Sequence, residues 1–474
     1  MPVCLLVVPW IATVAAIPAP SDPPVRRQKV CSCHPGPDGV LEGGVLMLPA
    51  PPLEAESFTT WPSATIESNG PSSNRIDIVF VGDGFQTAQL GSYAAVVSQR
   101  WAVVRAREPY TSYHRYFNAH RVDVASVDAG VDNDPSQGIL RSTALDMGFW
   151  CSGIERLLCV NTTKALNAAL CAPGRDQVLA VANSTKYGGA GYPTADVCTF
   201  SGLEANSLEV ALHELGHSFG DLADEYDYAD GTTYSGPEVP EANVSILTQA
   251  SMQSAGSKWA PWIGVSLPGV GMHGAYEGAR YYQFGIRRPT SDSLMRSLGV
   301  PFNGPSLEQM IVKIHQSTVM LDGAVPSVGA TVVRGASVAA TPLQPSNHAL
   351  SLQWYRGTEA IPGANSASID TTHISAAATG TQLRLVVVDP TTKVRNEMLR
   401  ATHLRETYTW NLVPDACRPD LDLDGGVGGA DLARLLADWG FGAIAAGRSD
   451  VNGDNTVGAE DLALLLAAWG PCGS

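Results

Sequence analysis

Long apolar runs are scarce in this chain of 474 residues. Only the stretch Met1 to Ala19 begins with one, CLLVVPWIATVAA from Cys4 to Ala16, and Pro9 interrupts it. It is too short for a transmembrane helix, which needs about 20 apolar residues, and no later run reaches that length. The stretch resembles a signal peptide cleaved near Ala16 or Ala19, although no Lys or Arg precedes the run. The expectation is a secreted or cell-surface protein, extracellular to a bacterium. Basic residues are also few: 30 Lys and Arg stand against 46 Asp and Glu, a net charge of −16. That imbalance argues against nucleic acid or an anionic membrane as partner. Nucleotide-binding signatures are missing too. Ile76 to Val81 reads as a buried strand and Gly82-Asp83-Gly84 as a turn into a helix over Thr87 to Arg107. Neither a GxGxxG nor a P-loop lysine accompanies them. Hydrophobic residues still make up 45%, enough for a full core, and the length predicts about three domains.

The chemistry concentrates in Ser207 to Tyr226, SLEVALHELGHSFGDLADEY. Leu208, Leu212, Leu215 and Phe219 recur at helical spacing and give a buried stripe, with Ser207 as N-cap and Gly220 as the stop. His213 and His217, at i and i+4, lie one turn apart on one face, so both imidazoles can reach one metal ion. Glu214 then lies beside the metal, where it can take a proton from metal-bound water. After the bend at Gly220 a third ligand is needed. Asp224 is the first candidate and Glu225 the fallback. Three protein ligands with an open fourth position describe a catalytic rather than a structural zinc site.

Further along, Ser293-Leu294-Met295-Arg296-Ser297 places Met295 in a short turn, as in the methionine turn that floors the metal site of metzincin zinc peptidases. Together with IDIVFVGDGF (Ile76 to Phe85), KYGGAG (Lys186 to Gly191) and RPTSDSLMRS (Arg288 to Ser297), HELGHSFGDLADEY resembles the bacterial zinc peptidases named after an immunoglobulin-A peptidase. The resemblance covers roughly Asn74 to Gln316. It implies zinc on His213, His217 and Asp224, Glu214 as the base, and Met295 as the turn methionine. Many relatives are expected to carry cysteines around that turn, and this chain has none between Cys198 and Cys417. In enzymes of this kind the sheet's edge strand pairs with the peptide substrate, and the glycines of Tyr187 to Gly191 would permit close backbone approach; an ordinary loop fits the same residues. Trp259 to Tyr282 reads as a cleft wall. Tyr281 or Tyr282 is placed to donate to the oxyanion of the tetrahedral intermediate, with Tyr282 the nominated residue.

With Cys4 removed in the signal peptide, eight cysteines remain: Cys31, Cys33, Cys151, Cys159, Cys171, Cys198, Cys417 and Cys472. An even number suits disulfides in an exported chain. A different use of Cys31 or Cys33 is latency, through a thiolate placed on the zinc. Residues 20–73, rich in Pro, Gly and Ser, read as a linker or pro-segment with at most one strand.

Beyond His315 the composition changes. Alternating runs such as Leu350 to Tyr355 and Gln382 to Val387 predict short antiparallel strands packed as an immunoglobulin-like β-sandwich over 325–410. Residues 415–474 contain a repeat with a period of thirty. Asp420, Asp422, Asp424 and Asp431 occupy positions 1, 3, 5 and 12 of one loop, and Asp450, Asn452, Asp454 and Asp461 match them in the second. Oxygen ligands at those positions suit Ca²⁺. Each loop leads into a leucine-rich helix ending in Trp-Gly. The missing entering helix and the Asp at position 12 resemble dockerin modules, which implies a cohesin-like or cell-surface partner. Asn455 stands where glycine is usual, and Cys417 and Cys472 bracket the module.

The expected architecture is therefore multidomain. A signal peptide (1–19) and the linker or pro-segment (20–73) precede an α/β (α+β) metzincin-like zinc peptidase domain (74–316). The sandwich and a small α-helical calcium module follow. The expected function is a secreted zinc endopeptidase hydrolysing protein or glycoprotein substrates. The competing reading is a non-catalytic adhesion or scaffold protein that uses only its C-terminal modules.

Overall fold

The computed structural model describes residues 27–36, 39–51, 59–376, 380–415, 417–422, 424, 426–442 and 447–472. The signal-peptide reading of Met1 to Ala19 and the side chains of Cys33 and Leu208 lie outside that description.

An eight-stranded sheet forms the frame. Its strands are β1 (Arg27–Pro35), β2 (Leu41–Pro49), β3 (Ser63–Glu67), β4 (Ile76–Asp83), β5 (Phe117–Val122), β6 (Gln177–Ala182), β7 (Gly189–Tyr192) and β8 (Val197–Ser201). They lie in the order β2-β1-β7-β8-β6-β4-β5-β3. The middle of the sheet is parallel: β8, β6, β4 and β5 run together. Strand β7 turns back antiparallel on β8, and β1 pairs antiparallel with β7. Continuous apolar runs suit strands covered on both faces. In β4, Ile76, Ile78 and Phe80 enter one core while Val79 and Val81 enter the other. The stretch expected to be linker or pro-segment with at most one strand instead supplies β1, β2 and β3 to this sheet. Leu41 and Val30 are fully buried there, which explains why a Pro- and Gly-rich segment is ordered.

Helices α1 (Leu90–Arg105), α2 (Tyr110–Tyr113), α3 (Thr162–Ala169), α4 (Ser207–Ser218) and α6 (Gly304–Ser317) pack into the two cores on the sheet, and α5 (Gln249–Ala255) lies in a separate one. The expected helix over Thr87 to Arg107 opens as a 3₁₀ turn at Thr87–Gln89 and continues as α1. Helix α4 carries the HExxH residues. Leu212, Leu215 and Phe219 bury in the same core as Trp101, Met295 and Met310. Its N-cap is Asn206 rather than Ser207, whose hydroxyl donates to Glu204 at 3.2 Å. The helix stops at Ser218, and the left-handed residue beyond it is Asp221 (φ 51°), not Gly220. Gly220 serves another need: a Cβ there would lie 2.5 Å from Met310 Sδ. Trp259 and Trp262, expected in a cleft wall, build a small separate core with Met252.

After β9 (Ser266–Leu267), β10 (Gly271–Met272), β11 (Tyr276–Ala279) and β12 (Tyr282–Arg288), the chain passes through α6 into two further sheets. One orders β13 (Leu321–Val325), β15 (Ser337–Pro342) and β18 (Ser368–Asp370). The other orders β14 (Thr331–Val333), β20 (Arg405–Val413), β19 (Thr381–Val388), β16 (Ser351–Arg356) and β17 (Glu359–Ala360). Both contribute to one core around Trp354 and Trp410, as in a sandwich. Helix α7 (Glu397–His403) precedes β20. The C-terminal unit holds β21 (Gly426–Val427), α8 (Gly429–Ala437), α9 (Ala459–Ala467) and β22 (Gly470–Pro471). Cys417 and Cys472 are disulfide-bonded across it, and Cys151 pairs with Cys159. Cys31, Cys171 and Cys198 are free. No helix among the described residues is long and apolar enough to cross a membrane.

Candidate metal centre

Helix α4 points His213 and His217 the same way, and the chain beyond the turn returns Asp224 to them. The two Nε2 atoms are 3.0 Å apart, and Asp224 Oδ1 lies 3.1 Å from the first and 3.2 Å from the second. All three side chains are buried. The outer nitrogens are already committed: His213 Nδ1 faces Leu294 O at 3.0 Å and His217 Nδ1 faces Leu222 O at 2.7 Å. A carbonyl only accepts, so each Nδ1 carries the proton and each Nε2 presents a lone pair inward. Two lone pairs and a carboxylate oxygen thus converge on one point. A tetrahedral metal with bonds of about 2.0–2.1 Å spaces its ligands by about 3.3 Å, so these residues fit a zinc-sized cation. Without a cation, a proton does part of that work. Burial opposes a charge on His217, but the Asp224 carboxylate outweighs burial and raises it to about 9. Burial likewise pushes Asp224 up and is outweighed by the two imidazoles, which hold it well below the usual carboxylate range.

Glu225, the alternative third ligand, faces away from the pair. Its carboxylate accepts from Asn243 Nδ2 and Ser293 Oγ at 2.8 Å and from Asn303 Nδ2 at 2.9 Å. Burial raises its pKa and those hydrogen bonds partly offset the rise. Its own amide donates to Met295 O at 2.7 Å. Glu225 therefore ties the segment carrying Asp224 to the turn carrying Met295. That turn lies under α4: a Cβ on Gly216, between the two histidines, would sit 2.6 Å from Met295 Sδ. Glycine at that point of HELGH is what lets the methionine pack there.

Glu214 is fully buried on the side of β7. A Cβ on Gly191 would fall 2.2 Å from Glu214 Oε2, so only glycine lets the strand pass this close to the carboxylate. Gly189 and Gly191 accordingly lie in strand β7, while Tyr187 and Gly188 precede it. Tyr282 is not brought to the metal ligands. Its ring meets Tyr234 edge-on at 5.3 Å and is partly exposed. Tyr281 occupies the inner place because its backbone is left-handed (φ 77°), which turns its side chain inward. Its hydroxyl donates to Asp224 Oδ2 at 2.5 Å, and its ring stacks on Tyr228 at 5.8 Å. Sequence spacing gave no reason to prefer one tyrosine of the pair.

In the C-terminal unit, Asp420, Asp422 and Asp424 come together, as do Asp450, Asp454 and Asp461. Asp431 and Asp461 are buried and accept backbone N–H groups of their own loops, from Leu421 at 2.6 Å and from Asn452 at 2.8 Å. Asn452 bonds Asp454 at 2.9 Å. Asn455 adopts φ 73°, the conformation expected of the residue that replaces glycine.

The fold and the His–His–Asp centre define a candidate hydrolytic metal site beside an open sheet. Residues 64–270, which include His213, Glu214, His217 and Asp224, match the family model described as IgA Peptidase M64. The match supports a peptidase of the IgA-peptidase type. A search of curated proteins finds no match for the chain.

Proposed function

We propose that the chain is a secreted zinc endopeptidase acting on protein or glycoprotein substrates. The observation that carries this reading is the convergence of His213 Nε2, His217 Nε2 and Asp224 Oδ1 within 3.0–3.2 Å, with both Nδ1 atoms already engaged. Zinc held by these three residues would supply a water of lowered pKa and polarise the scissile carbonyl. Glu214 takes the proton of the attacking water on its carboxylate and returns it to the leaving amine. Tyr281 fixes Asp224, and the buried methionine turn fixes the height of α4. The matching family's name carries immunoglobulin A. The residues of this chain define the substrate only as far as an extended peptide.

Calcium on the two aspartate loops belongs to the same proposal, with a dockerin-like unit after an immunoglobulin-like sandwich. The aspartate clusters, at loop positions 1, 3 and 5 of the first repeat and 1, 5 and 12 of the second, support it. Apolar exposure repeats with them: Leu436 and Trp439 are 51% and 44% exposed, and Leu466 and Trp469 are 52% and 51%. A duplicated apolar face supports a cohesin-like or cell-surface partner. The competing reading, a non-catalytic adhesion protein, predicts calcium without zinc. Metal analysis separates the two: one zinc and two calcium ions per chain support the enzyme. Glu214→Gln tests the mechanism directly. Hydrolysis should fall by orders of magnitude while zinc stays bound, and near-normal activity would refute the role of Glu214.

A further inference from the structure

Strand β1 lies over the candidate metal centre. The residue it pairs with Gly191 of β7 is Cys31, and Gly191 is the glycine whose open side faces Glu214. A Cβ on Gly191 would lie 3.7 Å from Cys31 Cβ, so Cys31 sits within one side chain of the catalytic carboxylate. Cys31 is 3% exposed. The turn of the hairpin reaches the opposite wall. Leu41 N donates to Arg296 O at 2.7 Å and Val40 pairs with Ser297, both just past Met295. Leu41 is fully buried against Tyr226. The hairpin thus spans from the sheet edge to the methionine turn, with the His–His–Asp cluster beneath it. Cavities flank the covered centre. One, of about 370 Å³, is lined by Lys29, His217, Asp221 and Glu241. The other, of about 490 Å³, is lined by Ser32, Glu42, Trp150 and Tyr228.

A sheet edge beside reacting groups is where an extended peptide gains main-chain hydrogen bonds. Here β1 already holds that edge, and two strands cannot share it. We propose that the β1–β2 hairpin is an autoinhibitory strap, which occupies the β7 edge in place of substrate and must leave before a peptide reaches Glu214. The proposal rests on reading His213, Glu214, His217 and Asp224 as a peptidase centre. It also gives the two cavities a meaning: one meets β1 at Lys29 and the other at Ser32, and departure of the strap would open the space between them. Cys31 acts by position within the strap rather than as a metal ligand, because it is not among the residues whose ligand atoms converge with His213, His217 and Asp224.

The test uses the full zinc-loaded chain and its Val30→Asp variant, which places a charge in the buried anchor of β1 away from the metal ligands. Hydrolysis of a peptide library and hydrogen exchange of the Gly189 to Tyr192 amides are read together. The strap predicts faster exchange in the variant, a rise in hydrolysis of at least about 10-fold, and inhibition of the variant by a synthetic peptide of Arg27–Pro35. Faster exchange with no gain in hydrolysis, in a variant that retains zinc, overturns it. Should Val30→Asp not fold, limited proteolysis of the unaltered chain replaces it. Loss of residues through Pro49, seen by N-terminal sequencing, must then raise the rate by a similar factor, and an unchanged rate overturns the proposal. Failure of the underlying peptidase reading looks different: neither form takes up zinc, and the strap falls with nothing to guard.

Discussion

Substituting Gly191 by alanine probes the contact between β7 and Glu214 without touching a metal ligand. The new Cβ would stand 2.2 Å from Glu214 Oε2, inside the 3.0 Å that real Cβ atoms keep. The backbone of β7 is held along its length by β8, and its other edge carries β1 or, once the strap has left, the substrate strand, so the carboxylate is the part that yields. It has to withdraw by about 1 Å to reach ordinary contact. A displacement of that size at a reacting group costs about 100-fold in rate. Overpacking should also cost about 1–3 kcal/mol of stability. The same Cβ meets Cys31 at an ordinary 3.7 Å, so the hairpin stays docked and the comparison with the unaltered chain is made at equal occupancy. The assay is kcat for a fluorogenic peptide alongside zinc content by mass spectrometry. Gly191→Ala should lose about 100-fold in kcat with zinc unchanged, and little more when combined with Glu214→Gln, because both act on one group. A variant that keeps kcat within a factor of three would show that Glu214 does not carry the proton from where the structure places it.

Tyr281→Phe removes the hydrogen bond to Asp224, so zinc affinity should fall about 10–100-fold in chelator competition, whereas Tyr282→Phe should leave it unchanged. Asp389, fully buried, accepts from Tyr113 at 2.7 Å, His315 at 3.0 Å and His348 at 2.8 Å, joining α2 and α6 to the sandwich. Asp389→Ala should cost about 3–5 kcal/mol in calorimetry, since it strands two buried donors, Tyr113 and His315, along with the half-buried His348. Burial pushes the pKa of Asp389 up, but His315 and its other donors outweigh burial and hold it below the ordinary value. A carboxyl depressed in the folded state stabilises above its unfolded pKa of about 3.9. That contribution is lost as pH falls below 4, and Asp389→Asn should flatten the acid limb of the stability curve. Calcium chelation should lower the melting temperature of the C-terminal unit, and Asp450→Ala should remove about half the calcium bound per chain.

Much of the centre was legible because it is local. His213, Glu214 and His217 lie within one helical turn, and the i,i+4 geometry follows from the helix alone. The return of Asp224 depended on a turn whose left-handed residue is Asp221, a position that carries no glycine to mark it. Choosing between Asp224 and Glu225 needed the partners of Glu225, and Asn243, Ser293 and Asn303 are all distant in sequence. The two tyrosines differ by one position, and only the backbone of Tyr281 decides which faces inward. The N-terminal hairpin was hidden by composition. Its prolines and glycines suggested a linker, while Val30 and the pair Val40-Leu41, the residues that dock it, are short apolar positions with no periodicity. The aspartate loops, by contrast, announced themselves through repetition.

The measurement that bears most directly on the central claim is hydrolysis of a mixed peptide library by the purified chain, before and after a zinc-selective chelator, with the hairpin intact and removed. The account predicts cleavage that is abolished by chelation, restored by zinc, and greater once the hairpin is gone. A chain that binds no zinc and cleaves nothing in either form would contradict it and leave the C-terminal units as the working part of the protein.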